Sequence, residues 1–360
     1  MIRLILLVLV VFIQQLLSAQ IGRKIDSLTQ IHVQRGFNGN LLYAIKDSIV
    51  FTGNYGYSNL ETQTPLTNSS QFELASLTKQ FTALAILQLV EDQKIALDQT
   101  VRSLIPSFPY PSITLTHLLR HQSGLIDEKV LFSNKKFWNR KKMADNQALL
   151  QVLAMHQPEL YFKPGTEYRY SNTGYAILAS VIEQVSSLSY KTYVESQIFH
   201  VIGMHDSYVY PGSQPIGQGS RATLDYTPTK KRKRYRPAIK DKNHNYLTWM
   251  HAIVGGSGIY STIIDLNIWR KALRDNTLIS EETKQLMFTT DSVSPKYGFG
   301  VALYETKKGK WVYHTGSLGG YKTMALYLPN SDEYLVILSN NRYADTYKTF
   351  DEALYALISN

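Results

Sequence analysis

The chain has 360 residues, 44% of them hydrophobic and 18% charged, with a formal net charge of +10 and no cysteine. Its length fits one large domain or two ordinary ones, and the apolar share excludes a globally disordered chain. The absence of cysteine excludes disulfides, thiolate metal sites, a cysteine nucleophile and a lipid anchor on cysteine, so stability rests on the buried core.

The first segment reads as an export signal. Arg3 opens it, Leu4 to Leu17 is apolar apart from Gln14 and Gln15, and Leu17-Ser18-Ala19 places small residues before Gln20. Residues 1–19 are therefore expected to be a secretory signal peptide, because the apolar run falls short of the about 20 residues that a membrane span needs. No other segment is apolar enough to span a bilayer. An exported chain without cysteine fits a bacterial periplasm or exterior.

Further along, Ile21 to Arg35 predicts an amphipathic helix stopped by Gly36. Leu41 to Ile45 and Ser48 to Tyr55 predict two strands around a Lys46-Asp47 turn. From Ser76 the run Phe81, Ala83 to Leu87, Leu89 and Val90 is apolar nearly all round, the pattern of a buried helix. Leu115 to Arg120, Asn146 to His156 and Gly174 to Val185 predict more helices, with a turn at Pro164-Gly165. Strand character returns in Tyr297 to Glu305, Trp311 to Thr315, Tyr321 to Leu328 and Glu333 to Ser339. The turns Lys307-Lys308-Gly309-Lys310 and Pro329-Asn330-Ser331-Asp332 separate hairpins, and Asp345 to Ser359 predicts a closing helix.

Strands at both ends and helices between them predict an α+β fold. An antiparallel sheet from residues 20–75 and 250–360 is flanked by the N- and C-terminal helices. A mainly helical subdomain, 76–249, is inserted, all within one domain over 20–360. A cleft is expected where the two parts meet.

Three motifs carry chemistry. Ser76-Leu77-Thr78-Lys79 opens the buried helix. Positions i and i+3 share a helix face, so an ammonium lies beside a hydroxyl, and burial drives the lysine pKa down. Tyr170-Ser171-Asn172 precedes another apolar helix; a tyrosine beside these groups accepts a proton if a positive neighbour lowers its pKa. Asn172 is placed to fix a substrate amide or the lysine. His314-Thr315-Gly316-Ser317 ends a strand, where Gly316 lets backbone approach and the Ser317 amide can join that of Ser76 around an oxyanion. Taken singly, each also reads as a helix cap or a glycine-rich turn.

In this order the motifs resemble the serine β-lactamase and penicillin-binding-protein superfamily, in its class C and D,D-peptidase-like branch. Ile113 to Leu125 (ITLTHLLRHQSGL), Phe162 to Tyr175 (FKPGTEYRYSNTGY), Val254 to Asp265 (VGGSGIYSTIID) and Tyr297 to Gly300 carry the resemblance along the chain. It implies that Ser76 is acylated, that Lys79 and Tyr170 shuttle its proton, that Asn172, His314, Thr315, Gly316 and Ser317 bind substrate, and that no cofactor is needed. β-Lactamases of this branch carry lysine where His314 stands, and histidine is mostly neutral near pH 7. The departure favours an esterase, amidase or peptidase acting on a small molecule or peptide. A non-catalytic module binding cell-wall peptides is the alternative.

Other features point to structure. His117 and His121 lie four apart, but Leu118 stands where a zinc protease needs glutamate, so both are expected to be structural and no metal site is expected. Gly255-Gly256-Ser257-Gly258 lacks the closing glycine of a nucleophile elbow, since Ile259 follows. The basic run Lys230 to Arg236 reads as a solvated loop or as a contact with an anionic cell envelope; nucleic acid does not fit an exported chain.

Overall fold

The computed structural model describes residues 20–210, 221–229, 234–244, 247–306 and 309–342. The expected signal peptide, Lys230 to Lys233 of the basic run, the Lys307-Lys308 turn and the closing helix Asp345 to Ser359 lie outside the described residues.

Six antiparallel strands form the main sheet, in the order Ala302–Thr306, Gly309–Leu318, Tyr321–Leu328, Glu333–Ser339, Gly39–Ile45, Ser48–Tyr55. The two ends of the chain meet at its centre: Gly39 pairs with Ser339 and Ile45 with Glu333. The stretch between Tyr55 and Ala302 contributes no strand to this sheet and is inserted, as the distribution of strands predicts.

Both faces of strand Gly39–Ile45 are covered. Leu41 and Tyr43 join Ile25, Leu326 and Ile337 beneath the helix over residues 20–34. Leu42 and Ala44 face the main core with Ala325, Val336 and Leu338. This alternation follows from the period of two along a strand, and each fully buried leucine stabilises the sheet by roughly 1.5–3 kcal/mol. Helix Ile263–Arg274 lies on the second face. Its buried Arg270 donates to the carbonyl of Lys46 at 2.6 Å and ion-pairs with Asp332, clamping one hairpin turn from each end of the chain. Removing one partner of such a buried pair costs about 3–5 kcal/mol.

The inserted part centres on helix Thr78–Glu91, buried from Thr78 to Leu87 and again at Leu89, as its unbroken apolar character requires. Helix Asn172–Ser186 packs against it. The insertion is not helical throughout. Tyr208–Val209 joins Phe72–Glu73 and Ile259–Ser261 in a small sheet, and Tyr226–Pro228 pairs with Tyr235–Pro237.

One expected strand is shortened. Between Tyr297 and Glu305 only Ala302 onward is strand, because the preceding segment bends onto the nucleophile helix. A Cβ at Gly300 would lie 2.5 Å from the carbonyl oxygen of Lys79, and Gly300 also holds a φ of 73°. Only glycine permits both. Conversely, the strand expected at Trp311 to Thr315 extends over Gly309–Leu318. Among the described residues no helix is long and apolar enough to cross a membrane.

Candidate active site

Ser76 lies in a 3₁₀ turn, Ala75–Leu77, that leads directly into helix Thr78–Glu91. Ala75 holds a φ of 51°, a left-handed conformation costing a non-glycine residue roughly 1–2 kcal/mol. Strain of this kind persists where surrounding contacts enforce it.

Lys79 has no exposed surface. Its Nζ donates to Asn172 Oδ1 at 2.7 Å and to the Gly256 carbonyl at 2.8 Å, and lies 3.3 Å from Ser76 Oγ. Burial lowers its pKa strongly, while Glu128 and then Asp127 oppose the shift. Two of its hydrogens occupy acceptors that cannot donate, and the third direction meets the Ser76 hydroxyl, which accepts from an ammonium or donates to a free amine. Glu128 shows the complementary effect, since burial and Asp127 raise its carboxyl while Lys79 lowers it.

Asn172, the first residue of helix Asn172–Ser186, receives Lys79 on its oxygen and donates Nδ2 to Asp127 Oδ2 at 3.3 Å. Both ends of the amide are thereby oriented, with Ser171 capping the helix through the Gly174 amide.

Tyr170 hydrogen-bonds Ser76 through its hydroxyl. Burial raises the pKa of that hydroxyl far above its ordinary value, the Ser76 contact pulls it back, and Tyr168, Glu128 and Asp127 raise it further. The residue as a whole keeps 37% of its surface exposed and lines the opening at Ser76. The condition under which sequence made this tyrosine a proton acceptor, a lowered pKa, is not met. Enclosure thus favours the protonated hydroxyl.

His121 supports it. Its ring lies 4.2 Å from that of Tyr170, and its Nδ1 accepts the Ser171 amide at 3.1 Å. Burial holds its pKa well below the ordinary value. His117 instead closes a capping box with Thr114. Among the described residues no group of three or more histidine and acidic side chains is placed to hold a metal.

The strand Gly309–Leu318 runs beside the nucleophile turn. A Cβ at Gly316 would lie 2.3 Å from the carbonyl of Leu74, so glycine is what lets the strand approach. His314 is turned inward: Nδ1 is 2.7 Å from the Thr315 carbonyl and Nε2 2.9 Å from the Tyr297 hydroxyl. A carbonyl only accepts, so Nδ1 carries the proton and Nε2 receives the tyrosine's. Burial and Lys79 bring the His314 pKa down to about 3, so the ring is neutral and both nitrogens are engaged.

A cavity of about 520 Å³ opens from Ser76 between Asp127, Asn172, Gly256, Ser317 and Arg342. A second opening is lined by Ser76, Tyr170, Thr315, Gly316 and Lys322. The structure therefore brings together every residue that sequence singled out for the site. Sequence reasoning missed Gly256, Glu128, His121, Tyr297 and Arg342. For Gly256 a signal existed in the glycine-rich segment, which sequence counted within the family resemblance of Val254 to Asp265 but gave no role, rejecting it only as a nucleophile elbow.

The model of the Beta-lactamase family matches residues 25–360. Penicillin-binding protein 4* of Bacillus subtilis is 32% identical over 317 residues, covering 87% of this chain and 70% of that protein. The D-aminopeptidase of Gluconobacter oxydans is 26% identical over 312 residues, covering 85% of this chain and 56% of that protein. The crystal structure of a penicillin binding protein from Bacillus halodurans superposes with a TM-score of 0.77 at 25% identity, over 91% of this chain and 98% of its own.

Proposed function

From the premise that the chain belongs to the β-lactamase family, we propose that it is a serine hydrolase acting through an acyl-enzyme on an ester, an amide or a D-amino-acid peptide. The observation that carries this reading is the hydrogen-bonding of Lys79, which leaves one direction of its nitrogen for Ser76. Ser76 Oγ attacks the substrate carbonyl as its proton passes to the Lys79 amine. The amides of Ser76 and Ser317 receive the oxyanion. Tyr170 donates its hydroxyl proton to the leaving group as the tetrahedral intermediate collapses, and is reprotonated from Lys79. Water then attacks the acyl-enzyme, with the same groups serving in reverse order, and releases the acid.

The D-aminopeptidase relative supports a substrate of D-amino-acid type. With His314 neutral, Arg342, whose guanidinium reaches Ser317 Oγ at 3.3 Å, is a cation of the cavity at which a substrate carboxylate would seat. Export by way of residues 1–19 belongs to the same proposal. So does contact of Lys230 to Arg236 with an anionic envelope, although Arg236 already pairs with Asp241 at 2.8 Å. Turnover of p-nitrophenyl esters by the mature chain, beside Ser76→Ala, tests the chemistry. Loss of turnover in the folded variant is expected, and unchanged turnover sinks the assignment.

A further inference from the structure

Glu73 precedes the nucleophile by three positions and has no part in the chemistry above. It lies in the short strand Phe72–Glu73 and has no exposed surface. Its Oε1 accepts two backbone amides, that of Ala75 at 3.2 Å and that of Gly258 at 2.8 Å. Its Oε2 has no partner among the described residues.

The two amides belong to the two halves of the site. Ala75 holds the left-handed turn that presents Ser76. Gly258 closes the segment whose Gly256 carbonyl takes a hydrogen from Lys79 and whose Gly255 carbonyl takes one from Thr82. A single carboxyl oxygen therefore spans the nucleophile turn and the segment that orients the base.

We infer that Glu73 is a positioning residue that fixes Ser76 and the Gly256 carbonyl relative to each other, and that it does so as an uncharged carboxylic acid. The inference rests on the reading of Ser76 and Lys79 as the reacting pair. Among the described residues no cation acts on the carboxyl to stabilise a charge. The titratable groups around it are Tyr260 on the paired strand, Tyr208 and Tyr210 beyond it, Tyr321 on the main sheet, and Asp225. Burial accordingly raises the Glu73 pKa to about 8, against which the Gly258 and Ala75 amides pull.

The linkage has a definite sign. The folded state keeps the proton up to about pH 8, whereas the unfolded chain releases it near the ordinary glutamate value of 4.5. The stability that the neutral acid contributes is whole below that lower value and is lost as pH rises towards about 8. Glu73→Gln keeps the accepting oxygen and cannot ionise. Its melting temperature should match the wild type at low pH and pull ahead across this window.

Three readouts on the full mature chain test the inference. Glu73→Ala should slow modification of Ser76 by a fluorophosphonate about ten-fold or more, with the KM for a p-nitrophenyl ester little changed, because misplacing reacting groups costs rate rather than affinity. Glu73→Gln should recover most of the lost rate. The gap in melting temperature between Glu73→Gln and wild type should widen with pH as described. Recovery together with a widening gap supports the inference. A Glu73→Gln variant as slow as Glu73→Ala overturns it, and so does a gap that stays flat with pH. If Glu73→Ala does not fold, the modification rate and pH response of Glu73→Gln decide. Wild-type turnover in Ser76→Ala would overturn the reading of the site itself, and the pH-dependent gap separates that failure from one of Glu73.

Discussion

On the floor of the cleft Lys79 is wholly enclosed and gives its hydrogens to carbonyl oxygens, while at the mouth Lys322 is only partly buried and stands beside Arg342. Burial lowers both lysines, but at Lys322 the shift stops at about 8 and is deepened by the neighbouring guanidinium. The floor extends this logic to His314, Tyr170 and Glu73, each pushed by burial towards its uncharged form. The mouth keeps formal charge in Arg342, which has His244 Nε2 at 2.7 Å and Ser317 Oγ as its neutral partners. In the proposed mechanism the first region would transfer protons among groups that burial drives towards their uncharged forms, and the second would present a cation to the substrate. Desolvation of the same side-chain types separates the two roles.

Substitutions on the floor should cost most. Ser76→Ala removes the nucleophile and should leave no measurable acyl transfer, with a melting temperature near that of the wild type, since its neighbours keep their core contacts. Lys79→Arg should follow closely, with kcat down by about 10²–10⁴-fold, because arginine does not surrender a proton at working pH. Wild-type kcat/KM should rise with pH through the neutral range, as the lowered Lys79 pKa is crossed and the amine becomes free. A rise appearing only near the ordinary lysine pKa, about 10.4, would contradict the burial argument. Tyr170→Phe removes the donor to the leaving group while leaving the base. A loss of about 10–100-fold is expected, smaller for a p-nitrophenyl ester than for an amide, since nitrophenolate needs little protonation. Equal losses on both substrates would place Tyr170 elsewhere in the mechanism.

How much of this was legible depends on where the information sits. The strands Ser48–Tyr55, Tyr321–Leu328 and Glu333–Ser339 and the helix Asn146–His156 have the bounds that their local residue character gives, although Tyr321–Leu328 and Glu333–Ser339 are covered on both faces. Ser76, Lys79 and Tyr170 were legible because their chemistry resides in side chains held in short motifs. The Gly256 carbonyl was not, since any residue carries a carbonyl and only the fold aims this one at Lys79. The bend at Tyr297 to Gly300 was read as strand because its aromatic residues have strand character, whereas its glycines answer to a distant helix backbone. The direction in which the Tyr170 pKa moves was not legible for the same reason: sequence shows the positive neighbour, and only the packed structure shows the enclosure that raises it.

The mouth offers the gentlest test of the comparison. Arg342→Ala removes a cation that lines the cavity opening from Ser76 but contacts neither Lys79 nor Tyr170 among the described residues. For a substrate carrying a free carboxylate, kcat/KM should fall about 10–100-fold, the equivalent of one charge-assisted hydrogen bond of about 1.5–3 kcal/mol. The loss should fall mainly on KM and shrink as salt is raised, because the guanidinium is partly exposed. For the neutral analogue, with that carboxylate replaced by a carboxamide, the rate should hardly change. Equal losses on both substrates would mean that Arg342 supports the cleft through Ser317 and His244 instead of reading charge. A loss confined to the anionic substrate would establish that charge recognition lies at the mouth, leaving the uncharged floor to proton transfer.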